Sequence, residues 1–240
     1  MRPSVSVIIP IYNSAKYLRE AIASVLAQRH SPLEVLVVDD GSSDNGPELA
    51  SSYGLQVRVI AIPHRGHPAA RNAGIAASTG DFLAFLDADD LWTAHKLDLQ
   101  LEAFDANPSL ELVFGHMQNF ISLELTEEER AKIKCNSTVL PGLLQGSMLA
   151  RRGSFERVGP FAEERSMGDF LDWYGRATLL NLNMHMLPDT LVRRRIHLGN
   201  FSRTHKHLRT ENLLVLKKLL DLRRAAADST ATGGAGQVPG

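Results

Sequence analysis

The chain contains one cysteine, Cys135, in 240 residues. That excludes an internal disulfide framework and a cysteine-built zinc site. No apolar run approaches the roughly 18–20 residues needed to cross a bilayer. Charge of either sign is barely in excess: 26 Lys+Arg against 27 Asp+Glu leave a formal −1, so nothing draws the chain in bulk toward nucleic acid. The first ten residues run straight into a strand-like segment and lack the layout of a secretory signal. No G-x-G-x-x-G follows that segment, which disfavours a dinucleotide oxidoreductase. What remains is 44% hydrophobic and 22% charged, ordinary for a globular chain long enough to bury a core. A soluble, cytoplasmic protein is expected, with peripheral attachment to a membrane left open.

Two periods alternate in the first third. Val5–Ile9 and Glu34–Val38 are short, continuous and β-branched, the pattern of strands buried on both faces. Between them Leu18, Ala21, Ile22, Val25 and Leu26 recur at helical spacing, with Ser14 a natural N-cap. A weak helix at 44–52, a strand at 57–61, an alanine-rich helix at 68–78 and a strand at 82–86 follow. This alternation predicts an open, mostly parallel α/β sheet with right-handed crossovers. The second half reads as a helix at 96–107, a strand at 111–115 that 117–122 extends or pairs with, and a charged helical insertion at 125–134. After it come a glycine-interrupted loop and strand at 142–150, a helical turn at 155–158, a helix at 169–180, a strand at 184–192 and a final helix at 208–223. One domain over 1–224 is expected, divided near residue 92, with a disordered tail at 225–240.

In open sheets of this type ligands sit beyond the carboxyl ends of the strands. Each polar cluster of the first half lies at such an end: Pro10–Asn13, Asp39–Ser43 and Asp87–Asp90. Carboxylates one residue apart repel unless a cation or protons neutralise them, and hard oxygen ligands suit Mg²⁺ or Mn²⁺ completed by substrate phosphates. Arg71 and Asn72, on the helix before the acidic strand, have the chemistry to meet a phosphate or to balance those aspartates; a surface ion pair is the competing reading. His64 and His67 sit in the loop before that helix, either near a ligand or merely exposed.

Four segments in order carry a resemblance: Pro10-Ile11-Tyr12-Asn13, Val37-Val38-Asp39-Asp40-Gly41-Ser42-Ser43-Asp44, Ala70-Arg71-Asn72-Ala73-Gly74 and Phe85-Leu86-Asp87-Ala88-Asp89-Asp90. Together they resemble glycosyltransferase family 2, with its GT-A fold and a mixed acceptor-side half. The resemblance implies a nucleotide-diphospho-sugar donor, with UDP-sugar the common case, and transfer with inversion. It implies that Pro10, Tyr12, Asn13 and Asp39 hold base and ribose, with Arg71 near base and phosphates and Asp87 at the ribose. Within Asp87-Ala88-Asp89, Asp89 is the expected ligand of Mn²⁺ or Mg²⁺, and His197 its expected companion. Arg195 is expected to steady the leaving phosphates; the competing reading makes the run Arg193–Arg195, with Arg203, Lys206 and Arg209, a basic surface stripe.

Inverting transfer also needs a carboxylate to take the acceptor proton. The family's Glu-Asp pair is missing, and Gly168-Asp169-Phe170-Leu171-Asp172 stands in its place. Asp169, at a helix start that favours an ionised form, is the expected base, and Asp172, one turn on, the alternative. Asp169 as a mere helix cap is the third reading. Ser147 and Met148 resemble the family's acceptor-side strand and are expected to line the sugar pocket. Trp173 either stacks on a sugar or fills the core, and Cys135 reads as an ordinary free thiol. The absent Glu-Asp pair keeps a non-catalytic nucleotide-sugar binder open as a second function. A sugar nucleotidyltransferase is a third, disfavoured by the lack of a glycine-rich phosphate loop. No motif names the acceptor, be it saccharide, lipid carrier, peptide or small molecule.

Overall fold

The computed structural model describes residues 3–164, 168–204 and the single positions 215, 217 and 221. The expected helix at 208–223, the tail at 225–240 and the side chains of the basic stripe at 203, 206 and 209 lie outside the described residues. The first half alternates as its periods predict: β1 (Val5–Ile11), α1 (Ala15–Leu26), β2 (Glu34–Asp39), α2 (Gly46–Ser51), β3 (Arg58–Ala61), α3 (His67–Ala77) and β4 (Phe82–Phe85). The second half runs β5 (Leu91–Trp92), α4 (Lys96–Ala106), β6 (Leu112–Ile121), α5 (Glu127–Ala131), β7 (Leu140–Pro141), β8 (Leu149–Arg151), α6 (Arg152–Val158), α7 (Asp169–Leu179), β9 (Met184–Ile196) and α8 (Phe201–Thr204).

All strands join one sheet in the order β3-β2-β1-β4-β8-β6-β9-β5, with β7 beside β6. β3, β2, β1 and β4 are mutually parallel, so their carboxyl ends share one edge. β8 runs antiparallel to both β4 and β6, whereas β6 and β9 are parallel. The sheet has hydrophobic layers on both faces. In β1 the alternation of side chains sends Val5, Val7, Ile9 and Ile11 to the layer under α1 and α4. Ile8 goes to the opposite layer, with Ala70 of α3, Phe155 of α6 and Trp173 of α7. Each fully buried valine, isoleucine or phenylalanine among them contributes about 1.5–3 kcal/mol relative to exposure.

Two glycines permit close approaches that shape the site. A Cβ on Gly74 would lie 2.6 Å from Ile8 Cγ2, so α3 rests directly on β1 and brings Arg71, one turn earlier, over the strand ends. A Cβ on Gly115 would lie 2.3 Å from Leu191, at the irregularity between β6 and β9, a usual reason for glycine within a strand.

Several elements depart from the sequence expectation. Ser14 precedes α1 but does not cap it: its hydroxyl donates to Tyr12 O at 3.0 Å, and the Asp44 carboxylate accepts from Ala15 N–H at 2.8 Å. Of the two alternatives for 117–122, extension holds, with β6 running on to Ile121, while β9 extends beyond the expected Val192 through all three arginines to Ile196. The charged insertion keeps only the short helix α5, closed by a Thr126–Glu129 capping box. No described helix is long and apolar enough to cross a membrane.

Candidate functional site

The carboxyl ends of β1 and β2 are tied together by Asn13. Its Oδ1 accepts from Ser43 N at 2.8 Å and Asp44 N at 3.3 Å, while its own N–H donates to Ser42 Oγ at 3.0 Å. Its φ of 50° is one that asparagine tolerates. Asn13 therefore shapes the loop from beneath. Asp39 Oδ1 accepts from Ser42 N at 2.9 Å, and its Oδ2 has no partner among the described residues. Both oxygens of Asp40 are used, accepting from Arg65 N at 2.7 Å and Gly66 N at 2.8 Å. His64 Nδ1 lies 3.0 Å from Asp40 O and 2.9 Å from Asp40 Oδ2. That fastening lays the imidazole flat on Tyr12, with centroids 4.1 Å apart and planes at 22°. Tyr12 is 40% exposed, so the pair forms an aromatic platform at the rim, while Pro10 stays buried within β1.

Next to this platform Arg71 connects two distant stretches. Its Nη2 lies 3.0 Å from Asp87 Oδ1 and its Nη1 2.7 Å from Asp169 Oδ2. Arg71 is only 4% exposed, and its Nε has no partner among the described residues. Burial alone would raise the Asp87 carboxyl, but Arg71, then His67, hold it below the usual carboxylate range. Burial and the Arg71 charge keep His67 below the usual imidazole range, against the pull of Asp87 and Asp169. Gln145 Nε2 completes the group, 3.2 Å from Asp87 Oδ2 and 3.4 Å from Oδ1. Asn72, beside Arg71, bonds Phe161 on both sides, donating to its carbonyl at 2.9 Å and accepting from its N–H at 3.0 Å. It thus holds the segment leading to Asp169.

Asp89 anchors a second group. Its Oδ2 lies 3.0 Å from His197 Nε2 and 3.1 Å from Asn200 Nδ2, while its Oδ1 has no partner among the described residues. Asn200 also accepts from His197 N at 2.6 Å and donates to Arg195 O at 3.0 Å. Gly199 N–H donates to His197 Nδ1 at 3.2 Å, so Nδ1 is the acceptor and the ring proton sits on Nε2, pointed at Asp89. Sequence pairing of Asp89 with His197 is thus met in space, but with the histidine as a hydrogen-bond donor to the carboxylate. The donor set fits a hard divalent cation at Asp89 Oδ1, because a ligating carboxylate is usually fixed by hydrogen bonds on its other side. Among the described residues no third His, Cys, Asp or Glu gathers there, so most of such a shell would come from phosphate and water.

Other expected site residues are placed differently. Asp172 is buried, with its Oδ2 2.9 Å from Arg176 Nε, whose Nη atoms donate to the Val158 and Pro160 carbonyls. It faces the α6–α7 packing and does not join Asp169. Arg195 is buried too: Nε donates to Asp89 O at 2.9 Å, Nη1 to Ser122 Oγ at 3.3 Å and Nη2 to Glu20 at 2.9 Å. Its ring neighbours are Tyr17 and Phe120. It is a brace behind Asp89, buried at 3% exposure with all three of its nitrogens already engaged. Asp90 is turned inward onto Arg195 N at 2.8 Å, and burial with the adjacent Asp89 and Asp87 charges pushes its carboxyl well up. Ala88 packs into the core.

The expected sugar-pocket lining is corrected at Ser147 and Met148, both fully buried; the Ser147 hydroxyl donates to the Gly142 and Leu144 carbonyls. Trp173 is core, stacked on Phe155 at 4.7 Å. Gln145, two residues before Ser147, is the site residue that sequence reasoning missed; a lone loop glutamine carries no motif. Cys135 is a free thiol.

Residues 6–157 match the pattern of Glycosyl transferase family 2. The chain belongs to that family. It is 31% identical over 215 residues, 81% of this chain, to an uncharacterized glycosyltransferase of Rickettsia felis, of which it covers 34%. It is 47% identical over 107 residues to one of Nostoc sp., covering 43% of this chain and 33% of the relative. The chain thus spans about a third of the length of these relatives. Its fold is similar to that of S. aureus TarS 1-349 solved with UDP-GlcNAc, at a TM-score of 0.70 and 21% identity, over 90% of this chain and 65% of that one. The family match ends at residue 157, before Asp169, His197 and Asn200.

Proposed function

We propose that this chain transfers a glycosyl group from a nucleoside-diphosphate sugar, UDP-linked by preference, to an acceptor hydroxyl with inversion at the anomeric carbon. The observation that carries this reading is Arg71, which joins the strand-end Asp87 to Asp169 at the start of α7. Tyr12 and Asp39 take the base and ribose, Tyr12 through its ring face and Asp39 through its open oxygen. UDP is favoured because the TarS structures of similar fold were solved with UDP and with UDP-GlcNAc.

Asp169 keeps one oxygen on Arg71 and has the other without a partner among the described residues. That second oxygen accepts the acceptor's hydroxyl proton as the acceptor oxygen bonds to the anomeric carbon. The bond from that carbon to the diphosphate breaks at the same time, and its electron pair leaves with the diphosphate. A Mn²⁺ or Mg²⁺ ion bound at Asp89 would supply Lewis-acid stabilisation of that departing charge. His197 and Asn200 fix Asp89 from behind, and Arg195 braces its backbone.

The test is a thermal-shift series with UDP, GDP and dTDP, with and without Mn²⁺. Saturating UDP with Mn²⁺ should raise the midpoint by several degrees, since ligand at about 100 times Kd adds about 2.7 kcal/mol. Asp89→Ala should lose the Mn²⁺-dependent part and its transfer activity. Absence of any shift with every nucleotide in the wild-type chain would sink the proposal. Binding with neither transfer nor donor hydrolysis would favour the non-catalytic binder that the missing Glu-Asp pair keeps open.

The role given to His197 has its own check. A glutamine at this position keeps an N–H donor, so His197→Gln should hold Mn²⁺ affinity in the presence of UDP within about threefold, and His197→Ala should lose about tenfold or more. Electron paramagnetic resonance of free Mn²⁺ reads both. Equal losses in the two variants would mean that the ring nitrogen itself ligates the ion.

A further inference from the structure

The loop at 142–148 carries a single 3₁₀ turn at Gln145–Ser147, and side chains from the β5–α4 segment read its carbonyls in succession. Trp92 Nε1 donates to Gly146 O at 3.0 Å, Gln100 Nε2 to Ser147 O at 2.8 Å and Lys96 Nζ to Met148 O at 3.4 Å. The three readers are also joined to one another. Lys96 Nζ donates to Gln100 Oε1 at 2.7 Å and lies 4.2 Å from the centre of the Trp92 ring. Gln100 Nε2 reaches across to Val113 O of β6 at 2.8 Å as well. Lys96 is 0% exposed. Its burial, with no carboxylate beside it to compensate, drives the ammonium well below the usual lysine range. Placing an uncompensated lysine in a core is expensive, and what this one achieves is to bond the loop carbonyl of Met148 while orienting the Gln100 amide toward that of Ser147.

The residue that this ladder delivers is Gln145, one step before Gly146. Its Nε2 is spent on Asp87, which leaves the amide Oε1 without a partner among the described residues. With its nitrogen end turned to Asp87 the amide presents its oxygen outward, and an oxygen acceptor selects for hydroxyl or N–H groups. Asp87 also binds Arg71, the side chain that holds Asp169. Gln145 therefore stands on the base side of the group, where the transferred sugar lies between Asp169 and a diphosphate at Asp89.

We infer that Gln145 recognises a hydroxyl or amide N–H of the donor's sugar through Oε1, and that Lys96, through Gln100 and the loop carbonyls, is the positioning residue that sets it. This rests on the donor-binding reading above. It adds a sugar-selecting contact that is separate from nucleotide binding.

The test compares binding of UDP with that of UDP-glucose, UDP-galactose and UDP-GlcNAc by calorimetry, in Mn²⁺, on the full chain. In the wild type one UDP-sugar should bind more tightly than UDP. Gln145→Ala should leave UDP affinity within about twofold and reduce the added affinity of that sugar by about three- to tenfold, the net worth of one hydrogen bond. Lys96→Met, which keeps the length of the side chain and removes Nζ, should show the same selective loss. The double variant should be no worse than Gln145→Ala alone, because the two changes act through one contact.

Equal weakening of UDP and UDP-sugar in Gln145→Ala would overturn the inference, as would losses that multiply in the double variant. If Lys96→Met does not fold, the Gln145→Ala comparison alone decides the sugar contact. A wild-type chain that binds no UDP at all would instead refute the donor reading, a different failure from either of these.

Discussion

Replacing Asp169 by Asn should lower the rate of glycosyl transfer by about 10²–10⁴-fold, the usual worth of a positioned general base, and leave UDP binding nearly unchanged. The amide is isosteric and keeps an oxygen for Arg71 Nη1, now 2.7 Å from the carboxylate, but it cannot accept a proton at neutral pH. The start of α7 is preserved, since Gly168 precedes the helix with a φ of 83° and supplies no side-chain cap. Steady-state transfer with a saturating donor, beside calorimetric UDP binding, separates chemistry from binding. A variant with wild-type kcat would remove Asp169 from the chemistry. The companion change at Asp172 is expected to act on stability and not on proton transfer, because that carboxylate is buried against Arg176.

The second large effect is on the fold itself. Arg71→Met should destabilise the chain by about 3–5 kcal/mol, because it leaves two carboxylates facing each other without the guanidinium that neutralises them. Asp87 retains solvent contact, with 31% of its side chain exposed, which places the expected value toward the lower end. For a chain of this size that is a fall in unfolding midpoint of roughly 10 °C. Arg71→Lys should recover only part, since one ammonium cannot span both partners in fixed geometry. The revealing variant is Arg71→Met combined with Asp169→Asn: removing one orphaned charge should restore part of the lost midpoint. If the double variant melts lower than Arg71→Met, repulsion between the carboxylates is not the cause.

Much of this was readable from the residues. Val5–Ile9 and Glu34–Val38 lead to polar clusters because buried parallel strands must end where their apolar runs end, and the structure gathers those ends on one edge. Arg71 and Asp169 could be named, but nothing in linear spacing said that they touch. The misplacements share one cause. Asp172 and Arg195 look like free charges in a linear reading, and each is absorbed by a specific partner. For Asp172 the Arg176 partner at i+4 was visible on the helix pattern. For Arg195 the decision lay in strand register, which pairs it with Phe120 and turns it beneath Asp89. Gln145 was illegible because its placement comes from the carbonyls after it, and a single 3₁₀ turn in a loop leaves no periodic trace in the sequence.

One guanidinium shared by two acids makes their ionisation a common ledger. With both acids ionised the trio of Arg71, Asp87 and Asp169 sums to one negative charge; were Asp169 to take up hydrogen from the incoming nucleophile, as the role proposed for it requires, the trio would sum to zero. On that proposed role, repulsion felt by the outgoing phosphates would diminish in step with the bond cleavage that makes them more anionic, and the two ends of the displacement would be electrically timed to each other.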